Sequence, residues 1–196
     1  MKNWKLKFSN NDSIFFTADL HLGHSNIIKY CNRPFDDVIE MNKAIVNNWN
    51  EVIDDNSHVF ILGDFAFASS KDTIHFIKSL KGIKYLIAGN HDFRCVLKNK
   101  LALSLFKAVE QCIEITVRDN EIGSDQKIVL SHYAGLTWNK SHMGSWQLFG
   151  HSHGTLQKSV LSPRQLDVGV DVHNFTPVSY NDIKIIITKQ CLANEK

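Results

Sequence analysis

Short runs of β-branched and aromatic residues, each closed by polar or glycine positions, punctuate the chain. Residues 13–18, 58–62, 84–88, 113–117, 127–130 and 183–188 read as strands, with residues 145–149 and 165–170 as weaker ones. Between several of them the apolar period changes to that of a helix. In residues 36–52, Val38, Met41, Ile45, Val46 and Trp49 recur three and four apart, behind Asp36 and Asp37, which suit the positive end of a helix dipole. Residues 70–80 place Ile74, Ile77 and Leu80 on one face and stop before Gly82. Residues 94–105 read as a third helix, with Val96, Leu97 and Leu101 as its apolar set, and residues 119–125 as a hairpin connection. The first half thus alternates strand and helix while the second is mostly strand. That order predicts an α/β fold of sheets packed on one another with helices outside, rather than a plain doubly wound sheet. No repeat, low-complexity tract or linker divides the chain, so residues 1–196 read as a single domain.

Composition narrows the functional classes. With 43% hydrophobic and 21% charged residues in 196, the chain is neither disordered nor fibrous, and its core needs no disulfide. The net charge of +2 speaks against a dedicated electrostatic binder of nucleic acid. No apolar run approaches a bilayer-spanning length, and the basic start from Met1 to Phe8 lacks the apolar core of a signal peptide, so no membrane partner is expected. The four cysteines form no CxxC pair and read as reduced thiols in a cytoplasmic protein. Histidine is the anomaly. Ten are present, and several sit beside Asp, Gly or Asn.

These polar signals fall where strands end. Residues 14–18 lead into Asp19-Leu20-His21, and if the extended geometry persists, period two puts Asp19 and His21 on one face. Residues 59–62 lead into Gly63-Asp64, and 85–88 into Gly89-Asn90-His91-Asp92. Residues 128–131 lead into His132, and 146–149 into Gly150-His151-Ser152-His153. Groups at strand carboxyl ends converge on a common crevice in sheet-based enzymes. Convergence would gather Asp19, His21, Asp64, Asn90, His132, His151 and His153, too many donors for one tetrahedral zinc. With one carboxylate bridging, seven groups serve two cations with about four ligands each, leaving positions for water and substrate.

The ordered set Asp-x-His, Gly-Asp, Gly-Asn-His-Asp, His, Gly-His-x-His resembles the calcineurin-like metallophosphoesterase superfamily. The stretch from Thr17 to Ile28 looks like its small bacterial and phage branch, and Asp167-Val168-Gly169-Val170-Asp171 extends the similarity. The resemblance implies a four-layer fold, two mixed β-sheets packed as a sandwich flanked by α-helices. It implies that Asp19, His21, Asp64 and His153 hold one ion and Asp64, Asn90, His132 and His151 the other, with Asp64 bridging. It casts His91 as the acid that protonates the leaving oxygen, with Asp92 accepting the second N–H of that ring. The reaction so implied is in-line attack on phosphorus by a hydroxide bridging two divalent ions, manganese first, with iron, zinc, cobalt or nickel as alternatives. Around this centre we expect His24, Arg94 and Arg33 to contact the substrate, Arg33 competing with a structural salt-bridge role. Asp171 and His173 are candidates for the pocket wall, and Trp138 and Trp146 for a base-stacking surface. The chain has little room for large lids, which favours a small nucleotide-type phosphodiester. A phosphomonoesterase or nucleoside-polyphosphate hydrolase is the alternative, with a nuclease or a non-catalytic metal-binding scaffold behind it.

Overall fold

The computed structural model describes residues 5–121 and 123–194. Met1 to Trp4 of the basic start and Ile122 of the expected hairpin connection therefore lie outside the described residues. In chain order the elements are β1 (Lys5–Ser9), β2 (Ile14–Thr17), α1 (Ser25–Tyr30), α2 (Val38–Val52), β3 (His58–Ile61), α3 (Ser70–Ser79) and β4 (Ile83–Ile87). A π-helical turn (Phe93–Leu97), α4 (Lys100–Ser104), β5 (Ala108–Glu110), β6 (Cys112–Asp119), β7 (Ser124–Ser131) and β8 (Trp146–Phe149) follow. The chain then runs through β9 (Gln165–Asp167) and β10 (Val178–Ser179) into α5 (Tyr180–Asn194).

Two mixed five-stranded sheets result, ordered β10-β2-β3-β4-β5 and β1-β6-β7-β8-β9. In the first, β2 to β5 run parallel and β10 antiparallel; in the second, only β6 and β7 pair antiparallel. The pleat explains why the strands of the first sheet read as unbroken apolar runs. Phe16, Phe60, Tyr85 and Ile87 face the second sheet and meet Ile113, Ile115, Ile128, Leu130 and Leu148. Val59, Ile61 and Leu86 face the other way, onto Met41, Ile45 and Trp49 of α2 and Ile77 of α3. The expected sandwich flanked by helices is thus present, with its helical cover uneven. Strand β6 alternates buried and exposed positions, and Glu114 and Lys127 leave the outer face of the second sheet to water. Helix α5 closes the inter-sheet core through Tyr180, Ile183 and Ile187.

Two local expectations change. Residues 183–188 are helical, because burial selects Ile183 and Ile187, one helical turn apart, and leaves Ile185 53% exposed. Ser179 starts this helix by accepting from the Asp182 backbone N–H at 3.1 Å while its hydroxyl donates to the Asp182 carboxylate. The third expected helix is broken at Asn99, whose side chain accepts from Leu101 and Ala102 N–H and so caps a new helix instead of continuing the π-turn. Helix α1 and strands β1, β5 and β10 are short elements without a run of their own in the pattern. Helices α2 and α3 begin at caps provided by Asp37 and Ser69.

Candidate metal centre

The carboxyl ends of β2, β3 and β4 in one sheet and of β7 and β8 in the other open onto one crevice, and backbone bonds stitch their loops together. Asp19 N–H donates to Gly63 O at 3.0 Å, His21 N–H to Asp64 O at 2.9 Å, and Gly150 N–H to His132 O at 3.0 Å. Carboxylates take part in the stitching: His91 N–H donates to Asp64 Oδ1 at 2.9 Å and His151 N–H to Asp19 Oδ2 at 2.8 Å. Asp19 and His21 do not converge by strand alternation. Strand β2 ends at Thr17, and both residues take left-handed backbone, at φ 57° and 50°. Asp64, His151 and His153 do the same at φ 54°, 67° and 46°. Left-handed backbone costs an L-residue about 1–2 kcal/mol. Gly150 is dictated by proximity: a Cβ there would overlap Ala18 Cβ and sit 2.8 Å from Asp19 Oδ2.

Two donor groups emerge. Ligand atoms of Asp19, His21 and His153 lie within 4.8 Å of one another, as do those of Asp64, His132 and His151. Asp64 Oδ2 joins them, 3.6 Å from His21 Nε2 and 3.6 Å from His132 Nε2. Asn90 Oδ1 lies 3.1 Å from His132 Nε2. The second nitrogen of His132 orients the ring: Nδ1 is 2.8 Å from Leu62 O, which can only accept, so in the neutral ring Nδ1 carries the proton and Nε2 presents a lone pair. That lone pair then faces the oxygens of Asn90 and Asp64, a repulsive set unless a cation lies among them. On the other side, Asp19 Oδ1 and both His21 ring nitrogens are buried without a hydrogen-bond partner. Burial drives the Asp19 carboxyl up to about 8, with Asp64 and Asp167 adding to the rise and His153 opposing it. Burial, with Arg33 and neighbouring imidazoles, drives His21 down to about 2, so its approach to Asp64 is not an ion pair. Imidazole nitrogens, carboxyl oxygens and an amide oxygen gathered in this way are a donor set that fits divalent cations.

His153 is oriented from behind. Its Nδ1 donates to Asp171 Oδ2 at 2.7 Å, leaving Nε2 for the centre, and although burial resists charging the ring, Asp171 and Asp19 raise its pKa. Cys31 lies close to His153 and Asp171, yet burial raises its thiol pKa and Asp171 is already engaged, so these three do not form a further cation site.

Sequence expectations are corrected first at Asp92 and Arg33. Asp92 does not orient the His91 ring: its fully buried carboxylate accepts backbone N–H groups of Asp64, Phe65 and Gly89 at 2.9, 2.9 and 2.8 Å, tying the β3 and β4 loops together. Arg33 is not a substrate contact. Only 5% exposed, it makes two 2.8 Å bonds to Asp171 and donates to the Asp19 and Leu20 carbonyls at 2.7 and 3.1 Å. The structural alternative wins because every donor of the fork faces a buried acceptor. Asp171 accordingly backs a candidate ligand rather than forming a pocket wall, and His173 donates to Asp167 O at 2.8 Å.

His91 and His24 stand beside the first donor group, their rings 5.4 and 5.5 Å from that of His21. Arg94 is exposed on the wall of the adjoining cleft. Trp146 is buried against Tyr180 and offers no stacking face at the centre, while the half-buried Trp138 donates its indole N–H to Ser145 O. The aromatics at the centre are ones the pattern does not single out. Tyr133 packs on His151 at 4.6 Å with its hydroxyl 3.3 Å from Asn90 Oδ1, and Phe67 and Phe93 line the cleft beside His91. Tyr133 directly follows the His132 motif, the one signal that marked it.

Comparison with known proteins gives this geometry its context. Residues 13–171 match the family model described as calcineurin-like phosphoesterase. An uncharacterized protein of Methanocaldococcus jannaschii, MJ1445, is 32% identical over 182 residues, covering 90% of this chain and 92% of that protein. The gene 66 protein of Mycobacterium phage L5 is 31% identical over 178 residues, covering 80% of this chain and 86% of that protein. A solved protein of unknown function from Aquifex aeolicus shares the fold at a TM-score of 0.67 and 22% identity, covering 90% of this chain and all of that one.

Proposed function

This chain belongs to the calcineurin-like phosphoesterase family and is a metal-dependent phosphoric ester hydrolase, and from that premise we propose a dinuclear phosphodiesterase acting on small nucleotide-type diesters. Asp19, His21, Asp64 and His153 would hold one divalent ion, and Asp64, Asn90, His132 and His151 the other. The observation that carries this reading is Asp64 Oδ2, 3.6 Å from a histidine nitrogen of each donor group. When bound, the ions supply Lewis-acid charge at the phosphoryl oxygens and a nucleophile from water at neutral pH. Carboxylate and amide oxygens temper the imidazoles toward harder ions, which makes manganese our first choice before iron, zinc, cobalt or nickel.

His91, anchored through its main-chain bond to Asp64, donates the proton that the leaving oxygen requires. His24 and Arg94 contact the phosphoryl group from the rim. Arg94 is the permanently charged residue of the cleft lining, and this lean cationic supply suits a diester, which carries one negative charge where a monoester carries two. A net charge of +2 offers little to a long nucleic acid.

The test is metal content followed by turnover of bis-p-nitrophenyl phosphate and p-nitrophenyl phosphate with added manganese. Asp64→Ala should lose metal and activity together. His91→Ala should retain metal and lose about 10²–10⁴-fold in turnover of a diester with a poor leaving group. Two bound ions without turnover of either ester would make the chain a scaffold, and a monoester preference would make it a phosphomonoesterase.

A further inference from the structure

The cleft that adjoins His91 has a volume of about 590 Å³, and its walls are Phe67, Phe93, Arg94 and the two centre residues Asn90 and His91. Two large aromatics are exposed there, Phe67 at 48% and Phe93 at 55%, and neither belongs to a core cluster. Each is nonetheless held. The Phe67 ring packs on His24 at 4.6 Å and meets His91 edge-on at 5.7 Å, while the Lys98 ammonium stands 4.7 Å over the Phe93 ring. The π-helical turn Phe93–Leu97 presents Phe93 and Arg94 together; π-turns are rare and concentrate at functional sites.

We propose that this cleft is a leaving-group subsite that takes the planar aromatic base of a nucleoside, with Phe67 and Phe93 as its stacking faces. The inference rests on the hydrolase reading above, because it follows from where His91 stands. The group that receives the proton departs on the His91 side of phosphorus, and the cleft begins at His91. Apolar rings held in place beside a cation match a base on a sugar-phosphate: the rings stack on it, and Arg94 reaches the anionic oxygens.

Calorimetric titration of the manganese-loaded protein with adenosine 5′-monophosphate and with ribose 5-phosphate isolates the base, since both probes carry the same phosphate. The nucleotide should bind about 5- to 150-fold more tightly, the range that one base–aromatic stack supplies. In Phe67→Ala and Phe93→Ala, whose side chains are half exposed so that the fold tolerates truncation, the ratio should fall toward one. Equal affinities in the wild type, or a ratio unchanged in the double variant, would overturn the subsite. Bis-p-nitrophenyl phosphate turnover by the same preparation separates the two claims: hydrolysis without base preference defeats the subsite alone, and base preference without hydrolysis defeats the hydrolase reading and, with it, the leaving-group role, leaving a nucleotide-binding cleft.

Discussion

Arg33→Met removes a cation that the fold has sealed in. Five contacts disappear: two 2.8 Å bonds to Asp171, those to the Asp19 and Leu20 carbonyls, and the 3.5 Å one to Met41 Sδ. The Phe175 ring, 5.6 Å from the guanidinium carbon, loses its cation as well. Asp171 is then buried with His153 as its one remaining bonded partner. Breaking a buried pair from one side costs about 3–5 kcal/mol, because the surviving charge keeps its desolvation penalty. In a chain of this size that corresponds to a fall in melting temperature of roughly 6–20 °C. Arg33→Lys should rescue little, since an ammonium cannot span a carboxylate and two carbonyls as the planar fork does. Urea denaturation in EDTA measures this free of metal binding. The double variant Arg33→Met/Asp171→Asn should cost less than the sum of the single changes by about 1–3 kcal/mol, as the orphaned carboxylate goes with its partner. A loss below about 1 kcal/mol in Arg33→Met, or strict additivity in the double variant, would refute the clamp.

Gly150→Ala should destabilise the protein by about 1–3 kcal/mol and weaken manganese binding, because its Cβ overlaps Ala18 and presses on the Asp19 carboxylate; wild-type melting and manganese titration curves would refute the packing argument. The metal-free protein should also lose stability as pH rises from 6.5 to 8. Asp19 has a folded pKa of about 8, above its unfolded 3.8, so its contribution is complete below 3.8 and is lost as pH climbs through 8. His153, also raised, loses its contribution as pH climbs above 6.5. Below 6.5 the depressed His21 works in the opposite sense, gaining as its unfolded form sheds a proton, and offsets Asp19. Above 6.5 that offset ends, and Asp19 alone removes about 2 kcal/mol by pH 8. Urea titrations in EDTA at the two pH values check this, Asp19→Asn should flatten the fall, and a metal-free protein equally stable at both would contradict it.

The main frame was legible because its determinants are local. Apolar runs closed by Gly, Asp or His marked β2, β3, β4, β7 and β8, and the same closures carried the candidate donors. Helices α2 and α3 announced themselves by period. What misled was chemistry whose sign depends on a distant partner. Residues 183–188 are as β-branched as a strand, but they pack one face on a core already supplied with strands, and the Ser179–Asp182 cap was the local hint. Asp92 and Arg33 are the residue types a phosphate site uses, yet they are spent on backbone groups of other loops and, for Arg33, on the distant Asp171 carboxylate, which no spacing reveals. Phe67 and Phe93 belong to no period, so only the fold brings them together.

The donor positions also show that the candidate set is brought together by a route other than strand alternation. Among the described residues, nine non-glycine residues have positive φ, and five of them are Asp19, His21, Asp64, His151 and His153. An extended continuation of β2 would send Leu20 to the face opposite Asp19 and His21, with the chain still running outward. Alternating left-handed residues instead coil the segment across the crevice mouth, where Asp19 and His21 N–H bond the β3 loop and Leu20 stays buried beneath. Asp and His tolerate this conformation better than the β-branched residues that build the strands, so the abrupt change from Ile and Phe to Asp and His is a backbone signal as well as a chemical one. The geometry of the candidate donors is thereby a property of the loops' own hydrogen bonds.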